Sequence, residues 1–171
     1  MTLLIETERL RLRELDPARD AASMLELLND PTFIDGIADH GVRTVEQVVE
    51  HLRGWHGAQY ARYGFGHYAL ELCESGTFIG TTGLVQRPDL ALADIGYALL
   101  SAHHRRGYAQ EAARAVMAHA RDVLEMRGLC GIVSPGNTAS MGLMDRLGLR
   151  RQGHYTLATE PVPLLYYEIV F

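Results

Sequence analysis

Cysteine and metal-binding motifs are scarce in this chain. It has two cysteines, Cys73 and Cys130, and neither lies in a CxxC or Cys/His metal spacing. Both fall in apolar, strand-like stretches, which predicts buried, reduced thiols and no structural disulfide. The eight histidines form no HExxH motif, and a cluster formed only in three dimensions stays open. We therefore expect no metal ion.

Long apolar runs and a net positive charge are also lacking. No run of about 18 apolar residues occurs, and Glu6 interrupts the N-terminus before a signal peptide could form. The formal net charge of -5 gives no general attraction to nucleic acid or to an anionic membrane. The sequence predicts a soluble, cytoplasmic protein in which any anion site is locally basic.

What the chain does contain is the composition of a globular domain. It has 171 residues, of which 47% are hydrophobic and 22% charged. This length and composition fit one domain, residues 1–171, with a sizeable core. The hydrophobic period alternates between helix and strand without internal repeats, which predicts a mixed α/β fold.

Apolar stretches with a period of two predict the strands. In the first strand leucines alternate with Arg9, Arg11 and Arg13, whose face we interpret as solvated. HYALELC and TFIGTTGLV predict a hairpin, followed by a strand over residues 92–100. Gly96 inside that strand indicates a bulge or a close approach of the backbone. Further strands are LCGIV and two closing strands near 149–157 and 164–171.

The helices are predicted from N-caps and from the helical period. Asp16, Thr44 and Asn137 are typical capping residues for three helices. Apolar residues recur at i, i+3 and i+4 from Ala109 to Leu124, which predicts another helix. Trp55 lies on the apolar stripe of the second helix, where we expect it in the core, with a pocket wall as the alternative.

The segment HHRRGYAQEA, residues 103–112, joins a strand to a helix and is called the basic segment below. Free N–H groups and the dipole at a helix start favour phosphate oxygens. Gly107 would let the backbone approach a phosphate, and Ala109 keeps side-chain bulk away. The GK[ST] and GxGxxG motifs are lacking, which disfavours ATP and NAD. Taken alone, the segment fits an ordinary helix start equally well.

Five segments in order carry a resemblance to a known family. They are TERLRLREL, FIGTTGL, DIGYAL, HHRRGYAQEA and NTASMGLMDRLGLRRQG. Together they resemble the GCN5-related N-acetyltransferase (GNAT) superfamily, and within it the RimJ/RimL-like branch of ribosomal-protein N-terminal acetyltransferases. The resemblance implies a single-domain GNAT fold with a mixed, mostly antiparallel sheet. About seven strands would be flanked by about four helices, with a splayed central strand pair.

The resemblance also implies a site for acetyl-CoA as co-substrate. The basic segment would bind its pyrophosphate, the splayed strand would pair with its pantetheine arm, and the start of the last helix would lie at its thiol end. The cofactor-binding residues carried over in this way are Tyr97, Ala98, Leu99, His104, Arg105, Arg106, Gly107, Tyr108, Ala109, Asn137 and Ser140.

The implied reaction is transfer of an acetyl group to a primary amine, on a protein N-terminus or a small molecule, by direct attack in a ternary complex. The enzyme must deprotonate the amine, stabilise an oxyanion and manage the leaving thiolate. Asp94 matches the base of some relatives, acting through a water, with a structural role as the alternative. Ser140 is the best-placed donor to the thiolate, with a helix-capping role as the alternative. A backbone N–H near Tyr97 or Ala98 would polarise the carbonyl.

Two positions depart from the family pattern. His104 replaces the usual Gln, Arg or aromatic residue at the first position of the phosphate motif, and Met144 replaces a tyrosine that serves many members as general acid. These departures favour an alternative, a catalytically degenerate CoA-binding sensor or scaffolding module. Transfer of another acyl group, such as succinyl, and a non-acyl enzyme for another phosphorylated ligand stay open. A homodimer is common among similar proteins, yet no stripe identifies an interface.

The amine acceptor should bind between the two early helices, the loop from Phe33 to Val42 and the last hairpin, including Thr159 to Pro163. Acidic residues that could receive a cationic amine are Asp35, Asp39 and Glu160, each with a solvated loop charge as the alternative. Less favoured candidates in this region are His40, His67 and Tyr155.

Overall fold

A computed structural model describes residues 3–158 and 161–171 of the chain. In these residues eight strands form one open sheet in the order β1-β2-β3-β4-β5-β6-β8-β7. Neighbouring strands are antiparallel except β5 and β6. The strands are β1 (Leu3–Glu6), β2 (Leu10–Glu14), β3 (His67–Leu72), β4 (Phe78–Val85), β5 (Asp94–Leu99), β6 (Gly128–Val133), β7 (Arg150–Tyr155) and β8 (Leu164–Val170).

Helices cover both faces of the sheet. They are α1 (Pro17–Leu28), α2 (Pro31–Gly36), α3 (Val45–His51), α4 (Gly57–Tyr63), α5 (Tyr108–Asp122) and α6 (Thr138–Leu147). A π-helical turn over Leu52–His56 joins α3 to α4, and a 3₁₀ turn over Ser101–His103 follows β5. The predicted mixed, mostly antiparallel α/β fold is confirmed. The predicted loop from Phe33 to Val42 begins inside α2, because the Asp30 carboxylate caps a helix that runs to Gly36.

Two hydrophobic clusters separate the faces. On one face Ala112 and Val116 of α5 belong to a cluster with sheet residues such as Ile79. On the other face Leu27 of α1 belongs to a cluster with Ala98. The two sides of β5 therefore meet different environments, one below α5 and α6 and the other below the early helices.

The predicted helix starts are confirmed. The Asp16 side chain accepts from the first amides of α1, and Thr44 forms a capping box with Gln47 at α3. Oδ1 of Asn137 accepts from the amide of Ser140 at 3.1 Å and caps α6. These local signals acted as expected because capping needs only neighbouring residues.

The solvated basic face expected on the first strand is wrong at Arg13. Its side chain is 2% exposed and donates to Asp20 and Glu71 at 2.6 to 2.7 Å. Helix α1 folds over this end of β2 and supplies Asp20, so three buried charges satisfy one another. Arg11 lies nearer the open end and pairs with Glu6 at the surface.

Strand β5 separates from β6 almost as soon as the two strands meet. It pairs with β4 along its whole length, from Leu99 opposite Gly80 to Asp94 opposite Val85, but with β6 only at Asp94 opposite Cys130. The splayed central pair is therefore present. The bulge predicted at Gly96 is not, because the register with β4 is continuous there. Gly96 instead leaves room for a side chain, since a Cβ at this position would lie 2.8 Å from Nε2 of His67.

Both cysteines are free thiols, and the predicted burial holds for Cys130 but is wrong for Cys73. Cys130 is buried in β6, and burial raises the pKa of its thiol to about 12. Cys73 is only half-buried, because it lies just beyond the end of β3. No helix in the described residues is long and apolar enough to cross a membrane.

Candidate active site

The gap between β5 and β6 exposes unpaired backbone. The amide of Cys130 donates to the carbonyl of Ala93 at 2.9 Å, and the amide of Leu100 donates to Ile79 of β4 at 2.9 Å. Backbone groups alternate in direction along a strand, and those of Leu100 face β4. The N–H and C=O groups of Tyr97 and Leu99 therefore point towards β6. Strand β6 has already diverged at that level. The N–H and C=O of Tyr97 therefore face the gap, whereas those of Ala98 face β4.

The basic segment forms a turn with left-handed backbone at two positions, Arg105 with φ 59° and Gly107 with φ 79°. Gly107 is the N-cap of α5, and no side chain caps this helix within the described residues, whereas side chains cap α1, α2, α3 and α6. The first-turn N–H groups of Tyr108 and Ala109 are therefore available to an anion. Arg105 and Arg106 are exposed beside them.

Arg9 of the N-terminal segment supports this turn, a role that sequence reasoning missed. Its Nη1 donates to the carbonyl of Arg106 at 2.9 Å, and its guanidinium lies 4.6 Å from the ring centroid of Tyr108. Glu111 of α5 holds the same guanidinium at 2.7 Å. The signal was present in TERLRLREL, but nothing in the spacing says that Arg9 meets α5.

His104 is exposed and turns back towards the sheet. Its Nε2 lies 2.9 Å from the carbonyl oxygen of Leu99. The contact uses the Leu99 carbonyl, which faces the gap at the end of β5. The N–H of Leu99 faces the same gap and can bind another partner. His104 therefore joins the basic segment to the splayed strand.

A cavity of about 620 Å³ lies on the gap and extends below the early helices. It brings together predicted residues from distant parts of the chain: Asp94, Tyr97, Ala98, Asn137, Ser140, Met144, Asp39, His40, His67 and Trp55. Leu99 and the basic segment lie outside its walls, as do Asp35 and Tyr155. Thr159 and Glu160 lie outside the described residues.

Asp94 begins β5 and is 5% exposed. Burial raises the pKa of its carboxyl to about 6, and the nearby Arg87 guanidinium opposes this shift. Nε of Arg87 donates to Oδ2 of Asp94 at 3.1 Å. Sequence reasoning missed Arg87, since it lies in the turn before β5 with no motif to mark it. The pair gives a carboxylate that can exchange a proton near neutral pH.

The start of α6 forms the opposite wall. Nδ2 of Asn137 donates to the carbonyl of Gly36 at 3.2 Å and ties this helix to α2. The hydroxyl of Tyr97 is buried without a hydrogen-bond partner among the described residues. Burial raises the pKa of this phenol, and the nearby Ser140 side chain opposes the shift. The thiol end of the predicted cofactor site thus holds two hydroxyl groups, of Tyr97 and Ser140.

Met144 carries no proton donor into the cavity. It is 2% exposed and packs over β6, where a Cβ at Gly131 would lie 2.6 Å from its Sδ. Gly131 leaves the space that this thioether fills. The position of the family's tyrosine acid is therefore part of the hydrophobic core.

Aromatic and imidazole rings form the wall below the early helices, called the ring wall below. Its members are Phe33, His40, His51, Trp55, His56 and His67. Trp55 is 40% exposed, so its expected place in the core is wrong. The π-helical turn changes the direction of its side chain from that of a regular helix.

The remaining acidic candidates are engaged or distant. Asp39 accepts from Arg43 at 2.7 Å, and Asp35 is exposed outside the cavity. Tyr155 donates to the carbonyl of Asp89 at 3.0 Å. In the part of the chain that the structure describes, no group of three or more His, Cys, Asp or Glu side chains could hold a metal ion.

Known proteins are similar to this chain in sequence and in fold. Residues 9–150 match the Acetyltransferase (GNAT) domain family. The Bacillus subtilis (strain 168) protein YkkB is 32% identical over 170 residues, which cover 95% of this chain and 92% of YkkB.

Solved structures agree with this match. An acetyltransferase from Agrobacterium tumefaciens str. C58 superposes with a TM-score of 0.81 at 28% identity, covering 99% of this chain and 94% of its own. RimL, a ribosomal L7/L12 alpha-N-protein acetyltransferase in complex with coenzyme A, shares the fold with a TM-score of 0.83 at 18% identity over 99% and 98% of the two chains. The chain therefore belongs to the GNAT acetyltransferase domain family and is an acyltransferase.

Proposed function

We propose that this enzyme transfers an acetyl group from acetyl-CoA to a primary amine by direct attack within a ternary complex, as in the RimJ/RimL-like branch. The acceptor would be a protein N-terminus, as for the ribosomal protein named for RimL, or a small molecule. The observation that carries the proposal is that β5 pairs with β6 at a single residue and leads, through the basic segment, to a helix start that no described side chain caps.

The residues present fit acetyl-CoA. The amides of residues 107–109 and the exposed Arg105 and Arg106 would hold its diphosphate, because free N–H groups and cations both favour phosphate oxygens. The outward C=O of Tyr97, with the N–H of Leu99, would pair with its amide-bearing arm. Bound there, acetyl-CoA would supply an acyl group activated as a thioester.

Asp94 would accept the proton that the amine must lose. With a pKa of about 6 this carboxyl is mostly ionised at pH 7 and still basic enough to act. Its burial on β5 suits transfer through one water molecule. The N–H of Tyr97 would polarise the carbonyl under attack, because it points into the gap rather than towards β4.

Ser140 and Tyr97 would protonate the leaving thiolate. Ser140 keeps its hydroxyl free of the capping role, since Asn137 caps the helix by accepting from the Ser140 amide. The Tyr97 hydroxyl is buried near the Ser140 side chain and makes no hydrogen bond of normal geometry among the described residues, so a bound molecule that accepts from it would lower the free energy. Together they would replace the tyrosine whose place Met144 occupies.

The test is release of free thiol from acetyl-CoA in the presence of a panel of primary amines, with a thermal-shift screen of CoA, ATP and NAD. We expect that CoA, but neither ATP nor NAD, raises the unfolding temperature, and that thiol release depends on the amine. Stabilisation by CoA without release with any amine would favour the degenerate binding module, and stabilisation by ATP or NAD would overturn the assignment. Succinyl-CoA in the same assay tests the acyl group.

A further inference from the structure

The ring wall is a continuous surface of ring contacts. Phe33 meets His40 with centroids 5.8 Å apart, His40 meets His51 at 5.9 Å, and His51 meets His56 at 5.3 Å. His56 then meets His67 at 5.9 Å. The series runs from the exposed His40 to His67, which lies against Gly96 of β5, two residues from Asp94.

The π-helical turn brings two consecutive rings to this surface. Trp55 and His56 would point about 100° apart on a regular α-helix. Here both line the cavity, in edge contact at 4.8 Å, and Trp55 lies nearly parallel to His51 at 6.4 Å. His51 and His56 are five residues apart, a spacing that meets on a π turn but diverges on an α-helix.

One polar atom of this wall is buried and lacks a hydrogen-bond partner in the part of the chain that the structure describes. His56 is 4% exposed, and its Nδ1 makes no hydrogen bond among the described residues. A buried polar atom without a partner is costly, so it points to a group that arrives with a ligand. The His56 ring contacts the rings of both Trp55 and His67.

Among the described residues that line the cavity, no carboxylate is left unpaired to bind a polycation. Burial lowers the pKa of His51, of His56 to about 2 and of His67 to about 4, so these imidazoles are neutral at pH 7. The carboxylates of Asp39 and Asp94, which line the cavity, are already paired with Arg43 and Arg87. The rings of His51, His56 and His67 therefore give the inner part of the wall a planar, polarizable and uncharged surface.

We propose that the ring wall binds an aromatic group of the acceptor, so that the acceptors are small primary amines that carry an aromatic ring on a short alkyl chain. The cavity of about 620 Å³ would also receive the thiol end of the cofactor, so the part along the ring wall has room for a small molecule only. An aromatic ring packs by stacking and edge contacts against Trp55 and His51. The amine then extends past His67 towards Asp94. This inference rests on the proposed acetyl transfer.

Trp55 allows acceptor binding to be measured without catalysis, because it is the sole tryptophan of the chain. Phenylethylamine should change the tryptophan fluorescence saturably, whereas putrescine and an alanine-initiated peptide should not. In the thiol-release assay, kcat/KM for phenylethylamine should exceed that for n-butylamine roughly tenfold, since two or more ring contacts are gained.

Variants of His51 separate packing from unfolding. His51→Ala should weaken phenylethylamine binding roughly tenfold, whereas His51→Phe, which keeps a ring, should retain it. His154→Ala is the matched control, because that histidine is exposed on β7 outside the cavity. Thermal unfolding and CoA binding verify that each variant is folded.

The outcomes distinguish this inference from the proposed function. The aromatic acceptor would be overturned if phenylethylamine caused no saturable fluorescence change, or if the peptide or putrescine were acetylated faster than phenylethylamine. The proposed acetyl transfer would stand in either case. Saturable binding of phenylethylamine without thiol release from any amine would leave the ring site in place and remove the proposed reaction.

Discussion

Nε of Arg87 donates to the carboxylate of Asp94 at 3.1 Å, at the point where β5 leaves β6. Burial and this guanidinium act on the carboxyl in opposite directions. Burial raises its pKa, Arg87 lowers it, and the balance is a pKa of about 6. The ion pair thus keeps a buried acid in the range where it can serve as a base at neutral pH.

The first prediction concerns Asp94→Asn. If the carboxylate is the base, kcat/KM at pH 7 should fall by about 10²-fold. A base must be deprotonated to act, so the wild-type rate should decline as the pH drops through about 6, and the variant should lose this limb. Its deficit should shrink at high pH, where more of the amine is free. Asp122→Asn, on the exposed end of α5, is the control, and an unchanged pH profile for Asp94→Asn would remove this residue from the base role.

The second prediction is a shift of the same limb. Arg87→Gln removes the cation that opposes the burial effect, so the pKa of Asp94 should rise above about 6. The acid limb of kcat/KM should move to higher pH, with a larger loss of rate at pH 6 than at pH 9. Arg121→Gln removes an exposed partner of Asp122 and should leave the acid limb of kcat/KM at the same pH. A limb that stays in place would mean that another group titrates.

Much of the fold was predictable because its signals are local. The β3–β4 hairpin, the caps at Asp16, Thr44 and Asn137, and the period of α5 each depend on neighbouring residues. The π-helical turn was not predictable, because it inserts one residue per turn without a distinct composition. That insertion moved Trp55 from the expected core to the cavity.

The residues of the site that were predicted came from family motifs and from the expected position of the acceptor pocket. Asp94, Tyr97 and Ser140 came from segments with a family pattern, and the cavity brings them together. His56 and Arg87 carry no such pattern. Their roles arise when the π-helical turn, β3 and the β4–β5 turn approach one another. Periodicity says which face of an element is apolar but not which element covers it.

The third prediction tests the basic segment. Gly107→Val should abolish CoA binding in a thermal-shift titration, because a β-branched residue is strained at φ 79° and would displace the turn. Gly76→Val is a matched control. Gly76 has φ 69° in the exposed β3–β4 turn, with nothing near its would-be Cβ, so it should lose similar stability and keep CoA binding. Normal CoA binding by Gly107→Val would contradict the diphosphate assignment.

The fourth prediction separates chemistry from binding at Tyr97. Tyr97→Phe keeps the ring and the backbone, so KM for acetyl-CoA should be unchanged while kcat falls by roughly 10²-fold. Ser140→Ala should lower kcat as well. The double variant should lose less than the product of the two effects if both hydroxyls serve one proton transfer. Tyr155→Phe, outside the cavity, is the control, and a rise in KM without a change in kcat would make the Tyr97 hydroxyl a binding group only.

The fifth prediction concerns the buried charges beside α1. Arg13→Met should lower the free energy of unfolding by about 3–5 kcal/mol, because it leaves the carboxylate of Asp20 buried without its cation. Glu71 keeps its ion pair with Arg19 at 2.8 Å, so most of the destabilisation should come from the unpaired carboxylate of Asp20. Arg11→Met removes an exposed partner of Glu6 and should cost less than about 1 kcal/mol. Urea unfolding measures both, and equal losses would mean that the buried network contributes no more than a surface pair.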